Sequence, residues 1–87
     1  MKTITSNANN ASVVIANDSD TVVMSNDHAR LNDERIYGIN MNSHTLHEGV
    51  TAPSDWAASK YFFDGTAWTL NTAWVDVSAM MKGATNV

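Results

Sequence analysis

The sequence predicts an all-β domain: a small antiparallel, hairpin-built sheet or sandwich with one or two short helical turns and loose termini. Three observations carry that expectation. Asp64-Gly65 sits between Lys60-Tyr61-Phe62-Phe63 and Thr66-Ala67-Trp68-Thr69-Leu70, and Asp-Gly flanked by aromatic and β-branched runs is a strong hairpin signal. Ser12-Val13-Val14-Ile15-Ala16 and Thr21-Val22-Val23-Met24-Ser25 are β-branched runs separated by Asn17-Asp18-Ser19-Asp20, every residue of which forms turns. Asn, Ser and Thr are abundant along the chain, and they suit turns and solvated strand faces better than helices.

Composition narrows the class further. A chain of 87 residues makes one domain, which buries only about 60% of its unfolded surface. Leu, Ile, Val and Phe together supply just under a fifth of the residues, so the core is thin. Cysteine is absent, so neither a disulfide nor a thiolate metal site stiffens the fold. Small domains without such staples often rely on oligomerisation or docking. Five Lys and Arg stand against nine Asp and Glu, with no basic cluster, which argues against nucleic acid as a partner. No apolar run approaches the ~20 residues of a membrane span. Met1-Lys2 leads into Thr, Ser and Asn with no apolar stretch, so no signal peptide is expected.

Taken in order, residues 1–10 read as an extended polar arm with Ile4 as its aliphatic contact. Residues 11–83 form the single β-rich domain, and 84–87 a tail. The two β-branched runs at 12–16 and 21–25 are expected to pair as a hairpin. Their consecutive valines suggest strands covered on both faces. Asp27 is placed to cap one helical turn through Leu31, and Asn32-Asp33 reads as a turn. Arg35 to Met41 alternates, with Tyr37, Ile39 and Met41 on one face. Asn42-Ser43 turns the chain, and Thr45 to Val50 returns as a strand with Leu46, Glu48 and Val50 together. Gly38 and Gly49 mark bulges or close backbone contacts. Pro53 ends that strand. Ser54 or Asp55 caps one helical turn, folding Trp56 back on the hairpin. After Leu70, Asn71-Thr72 turns, Trp74 to Val77 makes a last strand, and Ser78 to Gly83 a terminal helical turn.

The Asp64-Gly65 hairpin allows two registers. With a two-residue loop Phe63 faces Thr66 and Tyr61 faces Trp68, so Tyr61, Phe63 and Trp68 share one face and Phe62 lies on the other. With a three-residue loop bulged at Gly65, Phe62 faces Thr66. The first is preferred for its Tyr–Trp cross-strand pair, worth about 0.2–1 kcal/mol. Either way rings lie on both faces, and a lone hairpin is marginal in water. Tyr61, Phe62, Phe63, Trp68, Trp56 and Ile4 are therefore the candidate partner-contact residues.

Catalytic and metal chemistry find no setting. His44-x-x-His47-Glu48 lacks the helical HExxH order, and on a strand its imidazoles point apart. Asp18-x-Asp20 lacks the remaining ligands of a calcium loop. There is no G-x-S-x-G elbow, and the four Gly are isolated and make no phosphate loop. No catalytic residue, metal or cofactor is expected, and the chain reads as a non-enzyme. Trp56, Tyr61, Trp68 and Trp74 are the rings a sugar would stack on, with Asp64 and Asn71 beside them, although rings of a small β-domain also fill its core.

Pro53-Ser54-Asp55-Trp56 followed by Lys60-Tyr61-Phe62-Phe63-Asp64-Gly65-Thr66-Ala67-Trp68-Thr69-Leu70-Asn71 resembles a segment of small uncharacterised proteins of tailed bacteriophages. Asp20-Thr21-Val22-Val23-Met24-Ser25 and Gly49-Val50-Thr51-Ala52-Pro53 are similar to stretches of such proteins in marine and cyanobacterial phages. The resemblance covers mostly the last forty residues and part of the first β-branched pair, and it brings no catalytic residues. It implies a non-enzymatic virion structural protein made in the host cytoplasm, a capsid decoration (cement) or small tail accessory subunit. Its partners would be other capsid or tail proteins and further copies of itself, with neither nucleic acid nor membrane. Two alternatives stand beside it: a small carbohydrate- or receptor-binding β module, and an acidic intracellular inhibitor of a host protein.

Overall fold

The computed structural model describes residues 1–75. Within them the chain is all-β, with strands β1 (Lys2–Ser6), β2 (Ser12–Ala16), β3 (Val22–Met24), β4 (Ala29–Leu31), β5 (Glu34–Ile36), β6 (His44–His47), β7 (Tyr61–Phe63) and β8 (Trp68–Leu70). They pair into three small antiparallel sheets, ordered β2-β1-β6, β3-β4-β5 and β7-β8.

The expected N-terminal arm is the centre of the fold. β1 lies between β2 and β6, and Thr3, Ile4 and Thr5 are buried at 1%, 1% and 2% exposure. Consecutive side chains of a strand point to opposite faces, so both faces of β1 are covered. Ile4 joins Ala29 and Ile39 in the apolar core, with Val13, Val14, Val22, Met24, Ile36 and Leu46 packed around it. That face looks onto the β3-β4-β5 sheet. Threonine counts as polar in a sequence, yet its branched Cβ favours strands and its hydroxyl can be satisfied inside.

Burial of the threonine face rests on a directed chain of hydrogen bonds. Thr3 Oγ1 donates to the Val14 carbonyl at 2.7 Å, because a carbonyl only accepts. Ser12 Oγ, 2.6 Å away, must then donate to Thr3 Oγ1. The lone pairs of Ser12 Oγ are left to accept the Trp56 indole N–H at 2.8 Å. Ser12 is fully buried, and among the described residues no buried side-chain polar atom lacks a partner.

The strands at 12–16 and 22–24 exist, but they do not form a hairpin with each other. β2 pairs with β1 and β3 with β4. The turn residues between them are spent otherwise: Asp20 Oδ2 accepts the Asn17 N–H at 2.9 Å, and Asp20 N donates to the Asn17 carbonyl at 3.0 Å. Ile4 faces Val14 whereas Thr5 faces Ser12, so Val13 is the extra residue of a bulge. That bulge lets both adjacent valines reach the core.

No helical turn forms in the described residues. Asp27 hydrogen-bonds His28 Nδ1 at 2.7 Å, and 29–31 is strand. Pro53 to Trp56 closes as a simple turn, Trp56 N donating to the Pro53 carbonyl at 3.1 Å. The strand expected over 35–41 stops at Ile36, because Gly38 takes φ +78°. Tyr37 and Met41 are exposed while Ile39 is buried, so the three do not share a face. β6 likewise ends at His47, before Gly49 at φ +66°. The turns at Asn32-Asp33 and Asn42-Ser43 form where expected; Asn32 has φ +55° and links Thr21 through backbone and side chain at 2.7 and 3.0 Å. The expected helical turn at 78–83 and tail at 84–87 lie outside the described residues. So do Asp76 and Val77 of the expected last strand, of which Trp74 and Val75 are not strand.

Ser12→Ala should leave the Trp56 N–H without its acceptor and Thr3 Oγ1 without its donor. The expected loss is about 1–3 kcal/mol, read as a lower urea midpoint at unchanged slope.

Candidate functional site

The β7-β8 hairpin adopts neither anticipated register. Tyr61 faces Leu70, Phe62 faces Thr69 and Phe63 faces Trp68, which leaves Asp64 to Ala67 as the loop. The Asp64 side chain makes the longer loop possible. Its Oδ1 accepts the N–H groups of Thr66 and Ala67, both at 2.8 Å, and its own N–H donates to the Ala67 carbonyl at 3.3 Å. Gly65 supplies φ +102°, which glycine adopts without steric cost. The shift from the preferred register is two positions along the pair. Side-chain direction repeats every two residues, so Tyr61, Phe63 and Trp68 still share a face, now with Leu70.

That face is graded from closed to open. Phe63 is 4% exposed. Its ring meets His47 edge-on at 5.1 Å and Trp68 at 4.5 Å with the planes tilted 33°. Tyr61 meets Trp68 edge-on at 6.4 Å. Tyr61 and Trp68 are half-buried, and Leu70 is 51% exposed. Phe62 lies on the opposite face, half-buried, and bridges to Ala11 just before β2. Phe63 N to the Asn10 carbonyl at 2.9 Å and Ser59 N to the Ser12 carbonyl at 2.8 Å seat the hairpin there.

Beside the face stands an Asp55 clamp. Asp55 Oδ2 lies 2.9 Å from Lys60 Nζ, and Oδ1 accepts the Tyr61 hydroxyl at 2.7 Å. Lys60 Nζ also sits 5.1 Å over the Trp74 ring and 6.0 Å over that of Tyr61. The Asn71 side chain donates to the Ser59 carbonyl at 3.0 Å and the Trp74 indole to the Ala58 carbonyl at 3.1 Å. The hydrogen bonds from Lys60 and Tyr61 hold the Asp55 carboxyl below its ordinary range. The bond to Asp55 pushes the Tyr61 phenol up. At the loop, the N–H groups of Ala67 and Thr66 hold Asp64 below its ordinary range.

A cleft of about 310 Å³ opens at the hairpin tip, lined by Glu48, Thr51, Phe63, Thr66 and Trp68 together with Gly49, Val50 and Gly65. It offers an indole ring, hydroxyls and a carboxylate, a set suited to recognition.

The six candidate contact residues are thus separated. Tyr61, Phe63 and Trp68 come together, with Phe63 closed off. Phe62 lies on the far side, Trp56 is an internal anchor on Ser12, and Ile4 is core. Ile4 is no arm contact, because residues 2–6 form the central strand β1. Of the four rings expected as a platform, Trp56 is withdrawn onto Ser12, Tyr61 meets Trp68, Trp74 shares Lys60 with Tyr61, and Trp68 alone lines the cleft. Leu70, Glu48 and Thr51 escaped sequence reasoning. Only the true register brings Leu70 level with Tyr61, and Glu48 and Thr51 reach the cleft only through tertiary folding. The histidines are engaged internally: His47 Nε2 with Thr5 Oγ1 at 2.9 Å, and His44 Nδ1 with Ser43 Oγ at 2.7 Å. Burial holds His44 below its ordinary pKa. Among the described residues no cluster of metal-ligating side chains forms, and no helix is long and apolar enough to cross a membrane. Comparison with protein-family models, curated proteins and solved structures finds no match for the chain.

Asp55 and Asp64 ionise below 3.8 in the fold and at 3.8 when unfolded. As pH falls the unfolded chain takes up these protons first. Stability should therefore decline as pH drops through the carboxylate range toward the folded values, on top of an earlier decline as pH falls through 6.5, where the unfolded chain protonates His44 first. Urea midpoints against pH test this, and Asp64→Asn should flatten the decline. Asp55→Asn should return the Tyr61 phenol toward 10.0, read by ultraviolet titration of tyrosinate.

Proposed function

We propose that the chain is a non-enzymatic structural subunit of a tailed-phage virion, a capsid-decoration or small tail accessory protein acting through protein–protein contacts. The observation that carries the reading is the graded face of the β7-β8 hairpin. Phe63 is sealed by His47 and Trp68, while Tyr61, Trp68 and Leu70 keep apolar surface open. An aromatic cluster with a closed centre and an open margin is the composition of a docking hot spot. The sequence resemblance of the same segment to phage proteins supplies the class of partner: other virion proteins and further copies of the chain. The reading includes neither nucleic acid nor membrane.

Purified particles of the encoding phage should contain the protein at a fixed ratio to the major capsid subunit, measured by quantitative mass spectrometry. Leu70→Asp should cut its rebinding to particles lacking it by about tenfold or more, the scale of a hot-spot loss, at an unchanged urea midpoint. Particles free of the protein would sink the reading.

The cleft favours a second reading, a carbohydrate- or receptor-binding module. Trp68 beside Glu48, Thr51 and Thr66 combines a stacking ring with hydrogen-bonding groups. Glycan-array binding abolished by both Trp68→Ala and Glu48→Gln, with the fold intact by circular dichroism, would select it over the first.

A further inference from the structure

The register of the β3-β4-β5 sheet sets Val23 opposite Arg30, and Arg30 opposite Arg35. The row beside it, Met24-Ala29-Ile36, belongs to the core. Side chains alternate across a sheet, so the arginine row lies on the outer face. Both arginines are exposed there, and Val23 is 46% exposed. Tyr37 follows β5 at 83% exposure, its ring 5.5 Å from the Arg35 guanidinium.

Like charges directly opposite one another weaken a strand pair. Here Asp27, the carboxylate that feels Arg35, is engaged first with His28. Among the described residues neither guanidinium forms an ion pair with a carboxylate. Arg30 Nε donates to His28 Nε2 at 3.2 Å, and His28 Nδ1 is itself engaged with Asp27 Oδ1 at 2.7 Å. The Asp27 carboxyl is held below its ordinary range first by its bond to His28, and Arg35 is the least of the causes.

We propose that the outer face of the β3-β4-β5 sheet docks an acidic protein segment, whose carboxylates bridge Arg30 and Arg35 while its apolar side chains cover Val23 and Tyr37. A carboxylate between two guanidinium groups removes their repulsion and accepts charge-assisted, fork-shaped hydrogen bonds. The exposed Val23 and Tyr37 add apolar area next to the charges. A protein segment fits better than a nucleic acid. Exposed Asp27 and Asp33 stand in the loops at the two ends of the strands, and the chain carries a net charge of −4. A phosphate polymer carries charge at every step and would meet that negative charge on both sides of the arginines, whereas a short protein segment places carboxylates at the two arginines and uncharged side chains beside them. The proposal is independent of the hairpin reading.

The probe is a fluorescein-labelled octapeptide of alternating glutamate and leucine, titrated with the full chain and followed by anisotropy. The parent should bind it with an affinity that weakens as salt rises. Arg30→Glu and Arg35→Glu should each weaken binding by about tenfold or more. Their urea midpoints should equal or exceed the parent's, since each converts a like-charged pair into an opposite one. If either variant fails to fold, Arg30→Gln and Arg35→Gln carry the same comparison. Equal binding by parent and variants, or no binding by the parent, overturns the proposal. So does tighter binding of an oligothymidylate at this face, or a parent dimer in sedimentation velocity that Arg35→Glu dissolves.

Discussion

The fold depends on the run of hydrogen bonds from the Trp56 indole through Ser12 and Thr3 to the Val14 carbonyl. Its direction is set from one end, because a carbonyl can only accept and an indole can only donate. Each hydroxyl between them gives one proton and takes one. The interaction therefore serves three purposes at once. It makes a threonine face of β1 buriable and fixes β2 against β1. It also ties the irregular segment after Pro53 to the sheet, and that segment leads directly into β7.

The two faces of β1 use different physics. Ile4 is buried among aliphatic side chains from the β3-β4-β5 sheet and its own neighbours. Thr3 and Thr5 are buried through satisfied hydroxyls, with His47 carrying the contact outward to Phe63. The second face can be closed only where a partner atom is positioned, since an unsatisfied buried hydroxyl costs about 1–3 kcal/mol. It shelters Phe63 but not the whole hairpin. The open margin at Tyr61, Trp68 and Leu70 follows from a chain with few aliphatic residues left to cover it.

Local chemistry was legible in the sequence, and long-range pairing was not. The turns at Asn17 to Asp20, Asn32-Asp33, Asn42-Ser43 and Asp64-Gly65 all announce themselves through residues that bend or cap the backbone. The β-branched runs at 12–16 and 22–24 are likewise strands. Their pairing is not local: a hairpin is the default for neighbouring strands, but β1, whose hydroxyl-bearing residues do not read as core, takes β2 instead. The hairpin register failed for a related reason: Asp64 acts through its carboxylate, which caps two N–H groups and lengthens the loop. Face membership survived because the error was an even number of residues. In the candidate site, Tyr61, Phe63 and Trp68 were legible on that basis. Trp56 is expected over the hairpin, whereas its indole N–H goes to Ser12, 44 positions away, a partner that no local pattern marks.

The charges of the chain divide in the same spirit. Asp20 and Asp64 build turns, Asp27 holds His28, and Asp55 clamps Lys60 and Tyr61. Asp18 lies 2.7 Å from the Met1 amine. Much of the negative charge is therefore committed to local architecture, where it satisfies donors that turns leave open. An acidic composition of this origin is weak support for mimicry of an acidic ligand. Among the described cations, Lys2 donates to the Asp20 carbonyl at 2.6 Å and Lys60 to Asp55. Arg30 and Arg35 differ: they are exposed, opposed, and set beside apolar surface. A strand pair that keeps two like charges face to face forgoes stability it would gain from an opposite pair. Each guanidinium is held by a neighbour on that face, Arg30 by His28 and Arg35 by the Tyr37 ring, and that keeps both cations on the outer surface.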